Sequence, residues 1–148
     1  MNTTQQIKEW FETAFPNPTE KQVATQAGCV LEEVAELMLA LSIDSSAVAK
    51  MATELKQSPS LTKSSAGDNI HLFKGWRTEV ADASADIVVT LIGLCHMLGI
   101  DFEACLAEVN RSNYTKFENG KPVYGEYGKL AKGKDYTPPN LEEIVNGG

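Results

Sequence analysis

Apolar residues recur along this chain at intervals of three and four, the spacing that predicts helices. A first short helix is expected over about Gln5 to Phe15, closed by Pro16 and Pro18 because proline cannot continue a helix. Thr19 opens a second, long helix running to about Ile43, with Val30, Val34, Leu37, Met38 and Leu41 returning on one face. A shorter third segment spans Ser46 to Lys56. The run QSPSLTKSSAGDN that follows is rich in Ser, Pro and Gly and reads as an insert near residues 57–70. A fourth helix runs from Trp76 to Leu98 with Gly99 as its C-terminal stop. Asp101 then caps a fifth, DFEACLAEVNRS. From Asn113 onward, glycines, prolines and lysines predict an extended basic tail. No repeat and no alternating strand pattern of useful length is present, so the expected class is all-α, in one domain over residues 1–148.

Two of these helices carry acids in apolar surroundings. In LEEVAELMLAL, Glu32, Glu33 and Glu36 point away from the Val34, Met38 and Leu41 face, yet Ala35, Leu39 and Ala40 flank them. In EVADASADIVVTLIG, Glu79, Asp82 and Asp86 fall on one line, while Val80, Ala81, Ile87, Val88, Leu91 and Ile92 fill the other directions. A helix apolar on nearly every side belongs in an interior or at an interface. Buried carboxylates cost several kcal/mol each unless cations or protons neutralise them. Neither helix offers a lysine nearby, which makes divalent metal the economical answer. An all-oxygen donor set suits Mg²⁺ or Mn²⁺ rather than zinc. A di-iron bundle would want Glu-x-x-His pairs, and neither His71 nor His96 stands three residues after an acid of these stripes. The bland alternative is two solvated acidic faces.

Composition narrows the field. The net charge of −7 over 148 residues argues against a nucleic-acid polymer or a membrane surface as partner. No uninterrupted apolar run reaches the roughly 18 residues of a bilayer span, and MNTTQQIKEWFE lacks a basic-then-apolar leader. Cys29, Cys95 and Cys105 form no CxxC pair and fit a reducing compartment, so a cytoplasmic protein is expected.

Glu33-x-x-Glu36 followed by Glu79-x-x-Asp82 resembles the ExxE…ExxD signature of the MazG-like all-α nucleoside triphosphate pyrophosphohydrolases, and Glu32 completes the EExxE form. LGIDFEACLAEVNRSNYTK is similar to that superfamily's passage into an SNxSK-like segment, and GKLAKGKDYTPPNL to a tail of phage and bacterial members, including MazZ-like enzymes specific for (d)GTP. The similarity covers most of the chain from about Gly28. The 42 residues between Glu36 and Glu79 exceed the family's usual gap, and the Ser/Pro-rich insert accounts for them. The resemblance implies cleavage of a nucleoside triphosphate between its α and β phosphates, releasing pyrophosphate. Glu33, Glu36, Glu79 and Asp82 are then the ligands of two or more Mg²⁺ or Mn²⁺ ions, and Glu32 orients or deprotonates the attacking water. Asp86 lies outside the motif.

Six of the 13 Lys and Arg lie between Arg111 and Lys134. Asn113 and Lys116 are expected at phosphate oxygens, with Lys129 and Lys132 closing over them and Tyr136 stacking or hydrogen-bonding. GEYGKLAKG lacks the preceding strand and GK[ST] ending of a P-loop. Gln22, Thr25, Gln26 and Cys29 form a polar track before the acids, and Gln22 and Gln26 are candidate readers of a purine edge, with dGTP first. His71, Phe73 and Trp76 are further candidates for base contact. Helices this apolar call for a four-helix bundle completed by oligomerisation, as a homodimer or a dimer-of-dimers tetramer. The alternatives are a phosphoribosyl-ATP pyrophosphohydrolase on the same scaffold and a non-catalytic helical dimerisation or regulatory module.

Overall fold

A computed structural model describes residues Met1–Gly147. Its ordered elements are helical: α1 (Thr3–Ala14), α2 (Glu20–Ala40), α3 (Ser46–Gln57), α4 (Trp76–Met97), α5 (Phe102–Tyr114) and α6 (Leu141–Asn146), with a 3₁₀ turn at Glu126–Gly128. Among the described residues β-pairing is limited to isolated bridges, so the chain is all-α.

The helix starts follow from side-chain caps. The Asn2 side chain accepts from the Gln5 amide while Gln5 Oε1 accepts from the Asn2 amide, which moves the start of α1 two residues ahead of the expected Gln5. Thr19 and Gln22 make the same reciprocal pair at α2. The α2 helix ends at Ala40 rather than Ile43 because Ser42 takes a left-handed φ of 59°. Gly99, at φ 70°, follows the last turn of α4, and the Asp101 carboxylate accepts from the Ala104 amide at the start of α5.

The chain divides into two compact units. One holds residues 1–16, 73–123 and 132–147, hence α1, α4, α5 and α6. Its centre is Trp10, buried and stacked on Phe117 at 5.6 Å, with Phe11 edge-on at 4.9 Å. The indole N–H donates to the Asn113 carbonyl at 3.0 Å, and Tyr114 and Asn110 bond to Gln6, fastening α1 to α5. A forked Arg111–Glu108 pair, both bonds 2.8 Å, anchors the tail, because Arg111 also donates to Thr137 and Pro138 while Asn140 N–H donates to Glu108. The tail is therefore pinned rather than extended, and α6 in it was hidden from the sequence by the prolines just before Asn140.

The other unit comprises residues 17–72 and 124–131. Here α2 and α3 form an antiparallel helical hairpin whose buried residues are small: Ala24, Thr25, Gly28 and Ala35 on α2 and Ala52 on α3. The Lys21 ammonium donates to the Lys56 and Ser58 carbonyls at the C-terminal end of α3. The insert after α3 folds back through bridges of Lys63 with Ser60 and Asn69. Residues 124–131 turn through the bridge Tyr124–Leu130 and dock on the hairpin: the Thr25 hydroxyl donates to the Tyr127 carbonyl at 3.1 Å. Tyr127 takes a left-handed φ of 59° to make that turn.

Candidate active site

The acids stand on the two long helices. Glu33 and Glu36 lie one turn apart on an exposed strip of α2, and Glu79, Asp82 and Asp86 line an exposed strip of α4. The burial expected for these helices is met in part on α2, at Ala24, Thr25, Gly28 and Ala35, and not on α4 within the chain. No residue of α4 is buried, and Val89 is 65% exposed. Its own unit covers α4 only in part: Trp76, Leu91, Leu94 and Cys95 are half-buried, while Val80, Ile87, Val88, Val89 and Ile92 stay exposed. By length and composition α4 could cross a membrane. Asp82 and Asp86 oppose that, since each would cost about 2.5–3.5 kcal/mol at the centre of a span.

Glu32 is the exception among the acids, and it corrects the expectation that no lysine is near. Lys56 of α3 reaches its Oε1 at 2.9 Å, and Lys129 of the docked segment reaches its Oε2 at 2.8 Å. Both lysines come from other elements, which is why reading along α2 and α4 missed them. The Lys129 hydrogen bond and then that of Lys56 hold the Glu32 carboxyl below the usual carboxylate range, while Glu32 raises Lys129. Beside it, burial pushes the Cys29 thiol up. Glu36, Glu79 and Asp82 have no cationic partner among the described residues. Also among the described residues, no three His, Cys, Asp or Glu side chains gather at one point. Each acidic pair stands on its own helix, with hard oxygen donors of the kind Mg²⁺ and Mn²⁺ accept.

The tail candidates divide between the two units. Lys129 spends its charge on Glu32 in one. In the other, Asn113 supplies its carbonyl to Trp10, and the chain at Gly133 runs so close to Lys116 that a Cβ there would sit 2.8 Å from the Lys116 carbonyl. Lys132 sits over the Tyr136 ring at 4.8 Å, which occupies the face of that tyrosine. Of the polar track, Gln22 is committed to the cap of α2 and Thr25 is buried against Tyr127, leaving Gln26 exposed. His71 and Phe73 are exposed ahead of α4, and Trp76 is half-buried.

The phosphoribosyl-ATP pyrophosphohydrolase family matches residues 4–113. The chain belongs to that family. With it comes membership of the MazG-like all-α nucleoside triphosphate pyrophosphatase superfamily and nucleotide pyrophosphohydrolase activity. No curated protein and no solved structure matches the chain. The matched stretch of this pyrophosphohydrolase contains both acidic pairs, Glu32 and Lys56, and ends before Lys116, Lys129, Lys132 and Tyr136. Lys56 was the functional candidate that sequence reasoning passed over. Its signal was Gly28, an isolated glycine inside a helix one turn ahead of Glu32, where such a residue usually marks close packing.

Proposed function

We propose that this pyrophosphohydrolase cleaves a purine nucleoside triphosphate between the α and β phosphates in a metal-dependent reaction, with dGTP as the first candidate substrate. The observation that carries the reading is the family match across both acidic pairs. Glu33 with Glu36, and Glu79 with Asp82, are the metal-binding carboxylates. The exposure of all four, and the absence of a cationic partner at Glu36, Glu79 and Asp82 among the described residues, suit Mg²⁺ or Mn²⁺. Such ions, when bound, neutralise the triphosphate and acidify water. Glu32 is the group that orients and deprotonates the attacking water: the two lysines keep it ionised and hold its carboxylate in place. Asn113, Lys116, Lys129, Lys132 and Tyr136 receive the phosphates as donors and point charges. Gln26, exposed on α2, is the remaining polar reader of a base edge.

The family's printed description favours a second substrate, phosphoribosyl-ATP, which undergoes the same α–β cleavage. The protein works as a homodimer or a dimer of dimers, because the exposed Val80, Ile87, Val88, Val89 and Ile92 of α4 need a second copy to leave water. Three free cysteines suit a reducing cytoplasm. The test is competition kinetics with Mg²⁺ or Mn²⁺ among dGTP, dATP, dUTP, dCTP, the ribonucleotides and phosphoribosyl-ATP, reading pyrophosphate. A tenfold or greater pyrimidine preference refutes the purine assignment. Absence of pyrophosphate from every substrate refutes the reaction.

A further inference from the structure

The Glu32 carboxylate is held on both oxygens, and the two lysines that hold it are unlike. Lys56 approaches from α3 with its side chain only 12% exposed, whereas Lys129 arrives on a surface segment at 45% exposure. The aliphatic stem of Lys56 runs through the gap left by Gly28. A Cβ at Gly28 would lie 2.6 Å from Lys56 Cγ and 2.7 Å from the Ala52 carbonyl. The backbone around Lys56 is fixed too, because Lys21 donates to the carbonyls of Lys56 and Ser58. Lys129 instead rides on the turn at Tyr127 that the Thr25 hydroxyl anchors.

Two local choices at this spot work against stability. A glycine inside α2 lowers helix propensity, and a half-buried ion pair returns little of the hydration it forfeits. Local rules broken together at one place point to function rather than packing. Building on the reading of Glu32 given above, we infer that Lys56 is a positioning residue that sets the orientation of the Glu32 carboxylate, while Lys129 is the exchangeable partner that leaves Glu32 for the phosphates of the bound nucleotide. Lys56 then has the same partner with and without substrate. Lys129 changes partner, so that ligand binding frees Glu32 Oε2 for water. Glu32 keeps a cation in both arrangements, since Lys56 stays on it when Lys129 leaves.

The two roles separate in steady-state kinetics. Lys56→Met, Lys56→Arg, Lys129→Met, Glu32→Gln and the Glu32→Gln/Lys56→Met double variant are compared with wild type, Glu36→Gln serving as the metal-ligand control and circular dichroism confirming the helices. Lys56→Met is expected to lower kcat tenfold or more with KM within twofold of wild type, and Lys56→Arg to restore part of the loss. Lys129→Met is expected to raise KM about tenfold with kcat within threefold. The double variant is expected to be no slower than Glu32→Gln alone, because Lys56 acts through Glu32. If Lys56→Met does not fold, Lys56→Gln takes its place. Wild-type kcat in Lys56→Met, or losses that multiply in the double variant, overturns the inference while the proposed reaction stands. A fully active Glu32→Gln overturns both the inference and the role of Glu32. Wild type with no turnover on any nucleotide overturns the proposed function and this inference together.

Discussion

Gly28→Ala puts one methyl group into the closest approach between α2 and α3. The new Cβ would stand 2.6 Å from Lys56 Cγ, 2.7 Å from the Ala52 carbonyl oxygen and 3.0 Å from the Lys56 amide nitrogen. Relaxed contacts between such atoms need about 3.5 Å or more, so the helices must separate by close to an ångström. The side-chain carbon can swing aside, but the carbonyl and amide belong to the α3 backbone and move only with the helix. Overpacking of this kind costs about 1–3 kcal/mol. Replacing a helical glycine by alanine returns up to about 1 kcal/mol of propensity. The net expectation is a loss of about 1–2 kcal/mol, or roughly 2–8 °C in melting temperature for a chain of this size. Circular-dichroism melting at fixed protein concentration measures it, since association shifts apparent stability. A variant that melts at or above the wild-type temperature would show that α2 and α3 do not meet this closely, and the account of how Lys56 reaches Glu32 would go with it.

Three other outcomes are expected. Glu36→Gln and Asp82→Asn should each abolish turnover while leaving the helices intact, and either may be dismissed as a ligand if near-normal activity persists in its variant. Glu108 is lowered from 4.5 to about 2, first by its Arg111 hydrogen bonds and then by the Asn140 amide. Because its folded value is the lower one, its stabilising contribution is present above pH 4.5 and fades as pH falls from 4.5 toward 2. Glu108→Gln should therefore flatten the acid limb of a denaturant-midpoint profile across that window, and an unchanged limb refutes the coupling. Light scattering at micromolar concentration should give a multiple of 16.1 kDa, with Val89→Asp shifting it toward monomer; a stable wild-type monomer contradicts the covering of α4.

The helices were legible because their signals are local. Proline stops, the Thr19 and Asp101 caps and the three-and-four spacing lie within a few residues of what they control, and the observed ends differ from those expected by at most three residues. The acidic pairs were equally plain, since ExxE and ExxD are spacings on one helix. The partners of Glu32 were not. Lys56 is 24 residues away and Lys129 is 97, and no periodicity connects a helix to a turn that docks on it. Gln22 misled for a related reason: an amide suited to reading a base serves equally well in a cap, and its neighbour Thr19 decides between them. The tail read as extended because its prolines masked α6, and because hydrogen bonds such as Arg111 to Pro138 depend on the fold.

The separation of Lys129 from Glu32 also sets an order of events during synthesis. At about 5–20 residues per second, Lys56 leaves the ribosome within a few seconds of Glu32, while Lys129 follows only after roughly 5–20 s. The α2–α3 hairpin, made of contacts near in sequence, can close as soon as both helices have emerged. The nascent chain thus carries Glu32 paired to one lysine until the segment bearing Lys129 emerges. The second arrives only with residues 124–131. A ribosome stalled before that point leaves a folded hairpin whose acid still lacks its outer partner.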